Sequence, residues 1–433
     1  MSGTETSGKW IEIEQPPIVE TAVLGRLVLP SDSDREVQES LDEMKRLAWT
    51  AGANVACVFM QRRVRPCPAT LIGAGKAAEM KAAVDETGAD VVLFDSNLSP
   101  GQAVNLENIL GVKVVDRTQL ILDIFAQRAQ TNEGKHQVEL AQLQYMLPRL
   151  VGRGSVMRQQ GGIGVRGPGE QKLEVDRRVI RRRIQRLEED IENIRKSRRE
   201  QRRRRAEGTI GTVALVGYTN AGKSSLLNAL AGADVFVENK LFATLDPRAR
   251  RCVLPSQREA VLTDTVGFIR RLPHSLVAAF RATLEEVAEA DLLLLVADAS
   301  DPAVGEQIQA VYDVLAEIHA IDKPRIVVFN KTDIADRDQL RPLLWGSGTR
   351  MAVSARTGEG LPELLAEVDK HLAAGFRCVR LSIPHHEAGI LARIRRAGRI
   401  LKQEYAGDAV LVEAEIDPAI EWIVAAYRVA EAG

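Results

Sequence analysis

The chain has 433 residues, 45% hydrophobic and 27% charged, with a formal net charge of −1. The length suggests about three domains, and the composition is that of an ordinary globular protein. Near-zero net charge leaves nucleic-acid binding to local patches. Four cysteines, Cys57, Cys67, Cys252 and Cys378, stand apart with no C-x-x-C pair, which argues against zinc and fits a reducing cytosol. No apolar run approaches the roughly 20 residues that span a bilayer. Residues 1–19 open with a polar stretch that lacks a signal-peptide core and are expected to be a disordered lead-in.

Residues 20–130 alternate short apolar runs with helical patterns. Strands are expected at Val23–Leu29, Asn54–Met60, Asp90–Phe94 and Val112–Val115. Helices are expected at Arg35–Thr50, Lys76–Glu86 and Ala103–Leu110. This alternation predicts an N-terminal α/β domain with a parallel sheet. Leu71–Lys76 looks like a fragment of a phosphate loop but has Ala77 where Ser or Thr belongs. A turn followed by a helix start is favoured over a second nucleotide site.

Residues 131–208 read as a helical arm. Glu133–Leu150 carries Leu140, Leu143, Leu147 and Leu150 on one stripe. In Lys172–Arg205, Leu173, Ile180, Ile184, Leu187, Ile191 and Ile194 recur at threes and fours, a heptad seam. Two such helices in succession predict an antiparallel hairpin. Between them, Val151–Gly169 is glycine-rich and reads as neither helix nor strand, a tip loop bearing Arg153, Arg158 and Arg166. The second helix is basic, with Arg177, Arg178, Arg181, Arg182, Arg183 and Arg186 in its first half. No aromatics are interleaved, so phosphate-backbone contact to structured RNA, through Arg177, Arg181 and Arg182 with the tip arginines, is preferred to base stacking or to an inert charged face.

Residues 209–375 carry the chemistry. Gly217-Tyr218-Thr219-Asn220-Ala221-Gly222-Lys223-Ser224 spells G-x-x-x-x-G-K-S. It lies between the strand-like Val213–Val216 and an amphipathic helix that begins with Ser225. That context makes the pattern a phosphate-binding loop. Its amides and helix N-terminus face phosphate oxygens, Lys223 supplies positive charge, and the Ser224 hydroxyl suits Mg²⁺. Asp264-Thr265-Val266-Gly267 ends the strand Ala260–Leu262. Asp264 can hold Mg²⁺ through water and the Gly267 amide can sense the γ-phosphate. In Phe242-Ala243-Thr244-Leu245-Asp246, Thr244 is the expected switch threonine and Mg²⁺ ligand. Asn330-Lys331-Thr332-Asp333 follows another strand, and the Asp333 carboxylate can accept two hydrogen bonds from guanine but not from adenine. Val353-Ser354-Ala355 supplies a backbone amide for guanine O6. Five ordered motifs, each at a strand end where doubly wound sheets place ligands, predict a Mg²⁺-dependent P-loop GTPase in which Lys223, Thr244 and Gly267 serve catalysis.

After Gly267 stands Phe268, where Ras-like enzymes carry a glutamine that orients the attacking water. Phenylalanine cannot do so, and intrinsic hydrolysis is expected to be slow and to await an activator. Asn220 admits a second route. In MnmE-like GTPases a similarly placed asparagine helps bind K⁺; an asparagine that merely braces the loop is the alternative. Residues 376–433 predict a small α+β domain, with strands Arg377–Ile383, Ile400–Glu404 and Ala409–Ala414 and helices His385–Ala397 and Pro418–Arg428.

Over nearly all of residues 20–375 the chain resembles the HflX family. The resemblance is carried by Gly161–Glu170, Gly217–Asn228, Leu241–Pro247, Asp264–Arg270, Leu272-Pro273-His274 and Ala279–Glu286. The chain departs from the family's usual Thr-Gln-Leu-Glu with Gln171-Lys172-Leu173-Glu174. The resemblance implies a cytoplasmic, ribosome-associated GTPase that cycles between GTP and GDP. It also implies binding to the large ribosomal subunit and its rRNA as a monomer, and splitting of stalled or stressed ribosomes. The ribosome would then supply the activation that Phe268 withholds. The nucleotide domain alone also suits a ribosome-assembly or tRNA-modification GTPase, or an RNA-binding scaffold with structural nucleotide.

Overall fold

A computed structural model describes residues 19–158, 168–206, 210–232, 241–242, 244–245, 248–269, 281–374, 376–416 and 420–429. The chain divides into two compact units, one formed by Met1–Asp123 with Arg149–Gly164 and the other by Ile124–Pro148 with Val165–Gly433.

The first unit is built on four parallel strands, β1 (Glu20–Val28), β2 (Ala53–Arg62), β3 (Val91–Phe94) and β4 (Lys113–Asp116), in the order β2-β1-β3-β4. The expected strands are all present, their ends displaced by at most three residues. Helices α1 (Asp34–Ala51), α2 (Ala74–Thr87) and α3 (Pro100–Leu110) are the crossovers. Local chemistry fixes their starts. Ser33 with Glu36 and Ser99 with Gln102 form capping boxes that satisfy amides at the first turns of α1 and α3. The phosphate-loop fragment Leu71–Lys76 is the entry to α2. Gly73 is the N-cap, its amide donates to Gln61 Oε1 at 2.7 Å, and Lys76 pairs with Glu79. Helix α4 (Arg117–Arg128) follows β4 directly. It was absent from the sequence expectations because no turn residues separate it from the strand.

A buried ionic cluster ties these elements together. Asp95, just past β3, pairs with Arg26 of β1 and with Arg117 of α4, the latter at 2.9 Å. Arg117 also pairs with Glu43 of α1, and Ser40 donates to Asp95 at 2.6 Å. Both arginines and both carboxylates are at most 7% exposed.

Helix α5 (Asn132–Arg158), which belongs to the second unit up to Pro148, and α6 (Pro168–Ala206) form the arm. The seam is as patterned: Leu140, Leu187 and Ile191 are buried together with Leu143 and Ile184 against them. Arg183 grips Glu139 through two hydrogen bonds of 2.7 Å. The break between the helices is shorter than expected. Helix α5 continues through Val151 to Arg158, with Pro148 inside it, and α6 begins at Pro168. Glycines at 152 and 154 cost only about 1 kcal/mol each in a helix, less than a tertiary context can supply. Arg166 lies outside the described residues.

The nucleotide domain is a six-stranded sheet, β10-β9-β8-β5-β7-β6. Its strands are β5 (Gly211–Gly217), β6 (Arg248–Val253), β7 (Glu259–Asp264), β8 (Leu292–Asp298), β9 (Arg325–Asn330) and β10 (Thr349–Ala352). Five are parallel and β6 is an antiparallel edge. The helices are α7 (Lys223–Leu230), α8 (Arg281–Glu289), α9 (Val304–Glu317), α10 (Arg337–Leu344) and α11 (Leu361–Ala373). Apolar clusters on both faces bury the central β5, β8 and β9, as expected of a parallel sheet. The remaining sheet, β11 (Arg377–Pro384), β12 (Gly398–Ala406) and β13 (Ala409–Ile416), is antiparallel in the order β11-β13-β12, with α12 (Ala388–Ala397) packed near it. The expected second helix of this part is a single turn, Glu421–Val424, followed by a 3₁₀ turn. No helix among the described residues is long and apolar enough to cross a membrane.

Breaking the ionic cluster should be costly. Asp95→Asn keeps the volume but leaves Arg26 and Arg117 short of a buried counter-charge, and should lower unfolding free energy by about 3 kcal/mol in urea titrations monitored by circular dichroism.

Candidate GTP and magnesium site

The site gathers at the carboxyl ends of β5, β7 and β9. Strand β5 ends at Gly217, whose φ is 158°. A Cβ there would lie 2.1 Å from the Val296 carbonyl oxygen of β8, so only glycine lets the loop leave the strand. Gly222 caps α7 in the left-handed conformation, and a Cβ would meet Asn330 Nδ2 at 2.2 Å. Asn220 also has positive φ, at 62°, and is exposed at the loop's tip. Tyr218, Thr219 and Ala221 are buried, and Ser225 is half-buried in the first turn of α7.

Lys223 folds back along the loop. Its Nζ donates to the carbonyl oxygens of Gly217 and Tyr218, each at 3.0 Å. Burial lowers its pKa to about 8, partly offset by the carboxylate of Asp264. Gly267 is pressed against the same place, its would-be Cβ 2.8 Å from Thr219 Cγ2 and 3.1 Å from Lys223 Nζ.

Three oxygen-bearing side chains from separate elements converge beside the lysine. Ser224 Oγ donates to Asp264 Oδ2 at 2.6 Å, Thr244 Oγ1 donates to the same oxygen at 2.9 Å, and the two hydroxyls are 2.9 Å apart. Asp264 is fully buried, and among the described residues its Oδ1 has no hydrogen-bond partner. Hard oxygen donors around a buried carboxylate are the set Mg²⁺ prefers, with phosphate oxygens and water completing the shell. The residues present therefore fit the ion. Thr265 plays a different part: its hydroxyl donates to the Leu215 carbonyl at 2.7 Å and locks β7 to β5. Val266 is buried beside it.

At the base side, Asn330 braces the loops. Its Nδ2 donates to the Ala221 carbonyl and its Oδ1 accepts from the Ala355 amide, both at 3.0 Å. Asp333 Oδ1 accepts from Ser354 Oγ at 2.8 Å, which fixes the carboxylate's orientation. Val353 and Ser354 are fully buried, and the Thr332 amide donates to the Val353 carbonyl at 3.3 Å. Lys331, at φ 65°, pairs with Asp298 at 2.6 Å. Asp298 is a site residue that sequence reasoning missed; its only signal was an acidic end to the apolar run of β8.

Phe242 and Leu245 flank Thr244 and are both 2% exposed; Ala243 and Asp246 lie outside the described residues. Phe268 is 1% exposed and sits in the apolar cluster under the sheet. Its backbone pairs with the phosphate loop through Thr219 N to Phe268 O at 2.8 Å and Phe268 N to Gly217 O at 3.0 Å. Of the arm arginines, Arg181 and Arg182 are exposed and Arg177 is half-buried. Arg153 and Arg158 lie on the last turns of α5, their side chains outside the described residues.

Family profiles described as "GTP-binding GTPase N-terminal", "GTP-binding GTPase Middle Region" and "50S ribosome-binding GTPase" match residues 38–126, 128–205 and 212–331. The chain is 48% identical over 385 residues to GTPase HflX of Caldanaerobacter subterraneus subsp. tengcongensis, covering 89% of each chain. It is 44% identical over 411 residues to GTPase HflX of Escherichia coli, covering 93% of this chain and 95% of that one. The chain belongs to the HflX GTPase family. Among solved structures it is similar to a GTP-binding protein from Sulfolobus solfataricus in complex with GDP, at 26% identity and a TM-score of 0.44, covering 82% of this chain and 98% of that one. As a member of the HflX GTPase family, the chain carries a GTPase domain of the kind that binds guanine nucleotide and hydrolyses GTP.

The lysine makes the site pH-sensitive. Its pKa of about 8 without nucleotide must rise when phosphate replaces carbonyl partners, because an adjacent anion favours the charged form. Binding near pH 7 therefore needs little proton uptake, and binding at pH 9 takes up close to one proton. Affinity should fall as pH rises from 7.5 to 9. Calorimetry in buffers of differing ionisation heat should show the uptake, and Lys223→Met should abolish it.

Proposed function

We propose that this chain is a Mg²⁺-dependent GTP switch in the cytoplasm that binds the large ribosomal subunit, is activated by it, and splits stalled or stressed ribosomes into subunits. The observation that carries the reading is the convergence of Ser224, Thr244 and Asp264 on one point in a chain whose arm presents Arg181 and Arg182 to solvent. The first couples nucleotide to a loop that can order and release. The second offers a stiff, basic element suited to an RNA backbone. The profile over residues 212–331 is described as a ribosome-binding GTPase, and a basic arm preceding that domain fits such a partner.

Within this reading each residue has a task. The phosphate-loop amides and Lys223 neutralise the β- and γ-phosphates, and bound Mg²⁺ would add charge between them, held by Ser224 and Thr244 directly and by Asp264 through water. The Gly267 amide meets the γ-phosphate, and Asp333 selects guanine. The apolar ring of Phe268, turned into the core, leaves the attacking water without a partner from that position. Binding and hydrolysis are thereby separated: GTP holds the loops, and the ribosome triggers their release by completing the water's surroundings. The arginines of α6 and of the end of α5, Arg153, Arg158, Arg177, Arg181 and Arg182, with Arg166 beyond them, contact rRNA. The protein acts as a monomer.

Two measurements bear on this. GTP turnover by the full chain should rise well above tenfold on adding purified large subunits, and intact ribosomes should sediment as separate subunits with GTP or a non-hydrolysable analogue; stimulation of twofold or less would overturn the reading. Separately, we propose that Asn220, exposed at the loop tip, helps hold K⁺ against the phosphates. Turnover should then be several-fold faster in K⁺ than in Na⁺, and Asn220→Ala should erase the difference; equal rates in the two salts would assign Asn220 to bracing the loop.

A further inference from the structure

The switch segment is held in place by a residue from outside the GTPase profile. Phe242 stands two positions before Thr244. Its φ is 53°, a left-handed conformation that bulky side chains rarely adopt without outside support. The ring is 2% exposed and meets the Phe125 ring edge-on, with centroids 4.7 Å apart and planes at 74°. This is the arrangement the aromatic quadrupole favours. Phe125 is 1% exposed and lies on the last turns of α4, which from Ile124 belong to the second compact unit, as Phe242 does. It belongs to the stretch matched by the N-terminal profile, residues 38–126, whereas Phe242 belongs to the GTPase stretch, residues 212–331.

We propose that Phe125 is a positioning residue for the γ-phosphate switch: by holding Phe242 it sets Thr244 against Ser224 and Asp264. This rests on the reading of Thr244 as the switch threonine. The chain between the two Cα atoms spans at most about 7 Å, so a displaced Phe242 backbone carries Thr244 with it. On the other side Leu245 is also buried, and Thr244 is thus strung between two apolar anchors. The Thr244 hydroxyl lies 2.9 Å from both Ser224 Oγ and Asp264 Oδ2, a geometry that tolerates little drift. GDP has no γ-phosphate for this segment to meet, so loss of the anchor acts on GTP and spares GDP. The GTPase fold alone would therefore lack part of what discriminates the two nucleotides.

The test uses the full-length chain. Affinities for GDP and for a non-hydrolysable GTP analogue with Mg²⁺ are measured for the wild type, Phe125→Ala, Phe125→Leu, Phe242→Leu and the Phe125→Ala/Phe242→Leu double variant. Phe125→Ala should weaken analogue binding roughly three- to tenfold, the fold-change corresponding to a lost edge-to-face pair, and keep GDP affinity within about twofold. Phe125→Leu, which retains apolar bulk and serves if the alanine variant does not fold, should fall between. The double variant should lose no more than the larger single loss. Equal losses for both nucleotides, an unchanged GTP/GDP ratio, or losses that multiply in the double variant would overturn the positioning role alone. A wild-type chain that binds neither guanine nucleotide would overturn the GTP-switch reading with it.

Discussion

The nucleotide site depends on one buried carboxylate. Asp264 ends β7 with no exposed surface, and burying such a group is costly unless hydrogen bonds or a cation compensate. One of its oxygens receives hydroxyls from Ser224 and Thr244; the other has no hydrogen-bond partner among the described residues. Half of the group's demand is thus met by the fold and half left to a ligand. A carboxylate satisfied on both oxygens would hold the three loops together permanently, and the nucleotide would then change nothing. The arrangement leaves room at the buried carboxylate for a further hydrogen-bond donor or cation beside Thr244.

The same logic separates this cluster from the ionic knot in the first unit. There Asp95 meets Arg26, Arg117 and Ser40, and Arg117 also meets Glu43. Opposite charges from β1, α1, α4 and the end of β3 compensate one another within the protein. Such a network fixes register and orientation among elements that apolar packing alone would leave less specified. Its charges are compensated within the protein, whereas among the described residues one oxygen of Asp264 is left without such a partner.

Much of this was legible in the sequence because the site is local. Gly217 to Ser224 is a contiguous run, and the motifs of Asp264 and of Asn330 and Asp333 each follow an apolar strand, so period and spacing pointed to them without knowledge of their contacts; Thr244, which lies between α7 and β6, was read from its place in the order of motifs instead. What escaped was set by tertiary context. Helix α4 lacks a punctuating turn after β4, and glycines at 152 and 154 suggested a loop where α5 continues to Arg158. Asp298, at the end of β8, acquires meaning only when Lys331 is brought to it. The ring pair of Phe125 and Phe242 joins residues far apart in the chain, and neither belongs to a periodic pattern or motif that would link it to the other.

Phe268 shows how a local rule can be kept in form and changed in effect. Its backbone completes a short parallel bridge with Tyr218, which seats the Asp264–Gly267 turn on the phosphate loop as any GTPase requires. Its side chain, however, is apolar and joins the core formed by Ala214, Val216 and Leu293. Exchanging that ring for a polar group would expose a donor or acceptor to an apolar cluster unless the turn swung outward. Packing therefore works against a water-orienting side chain at this position and favours a turn that stays seated. The same buried ring that steadies the turn leaves this position without a side chain able to hydrogen-bond water.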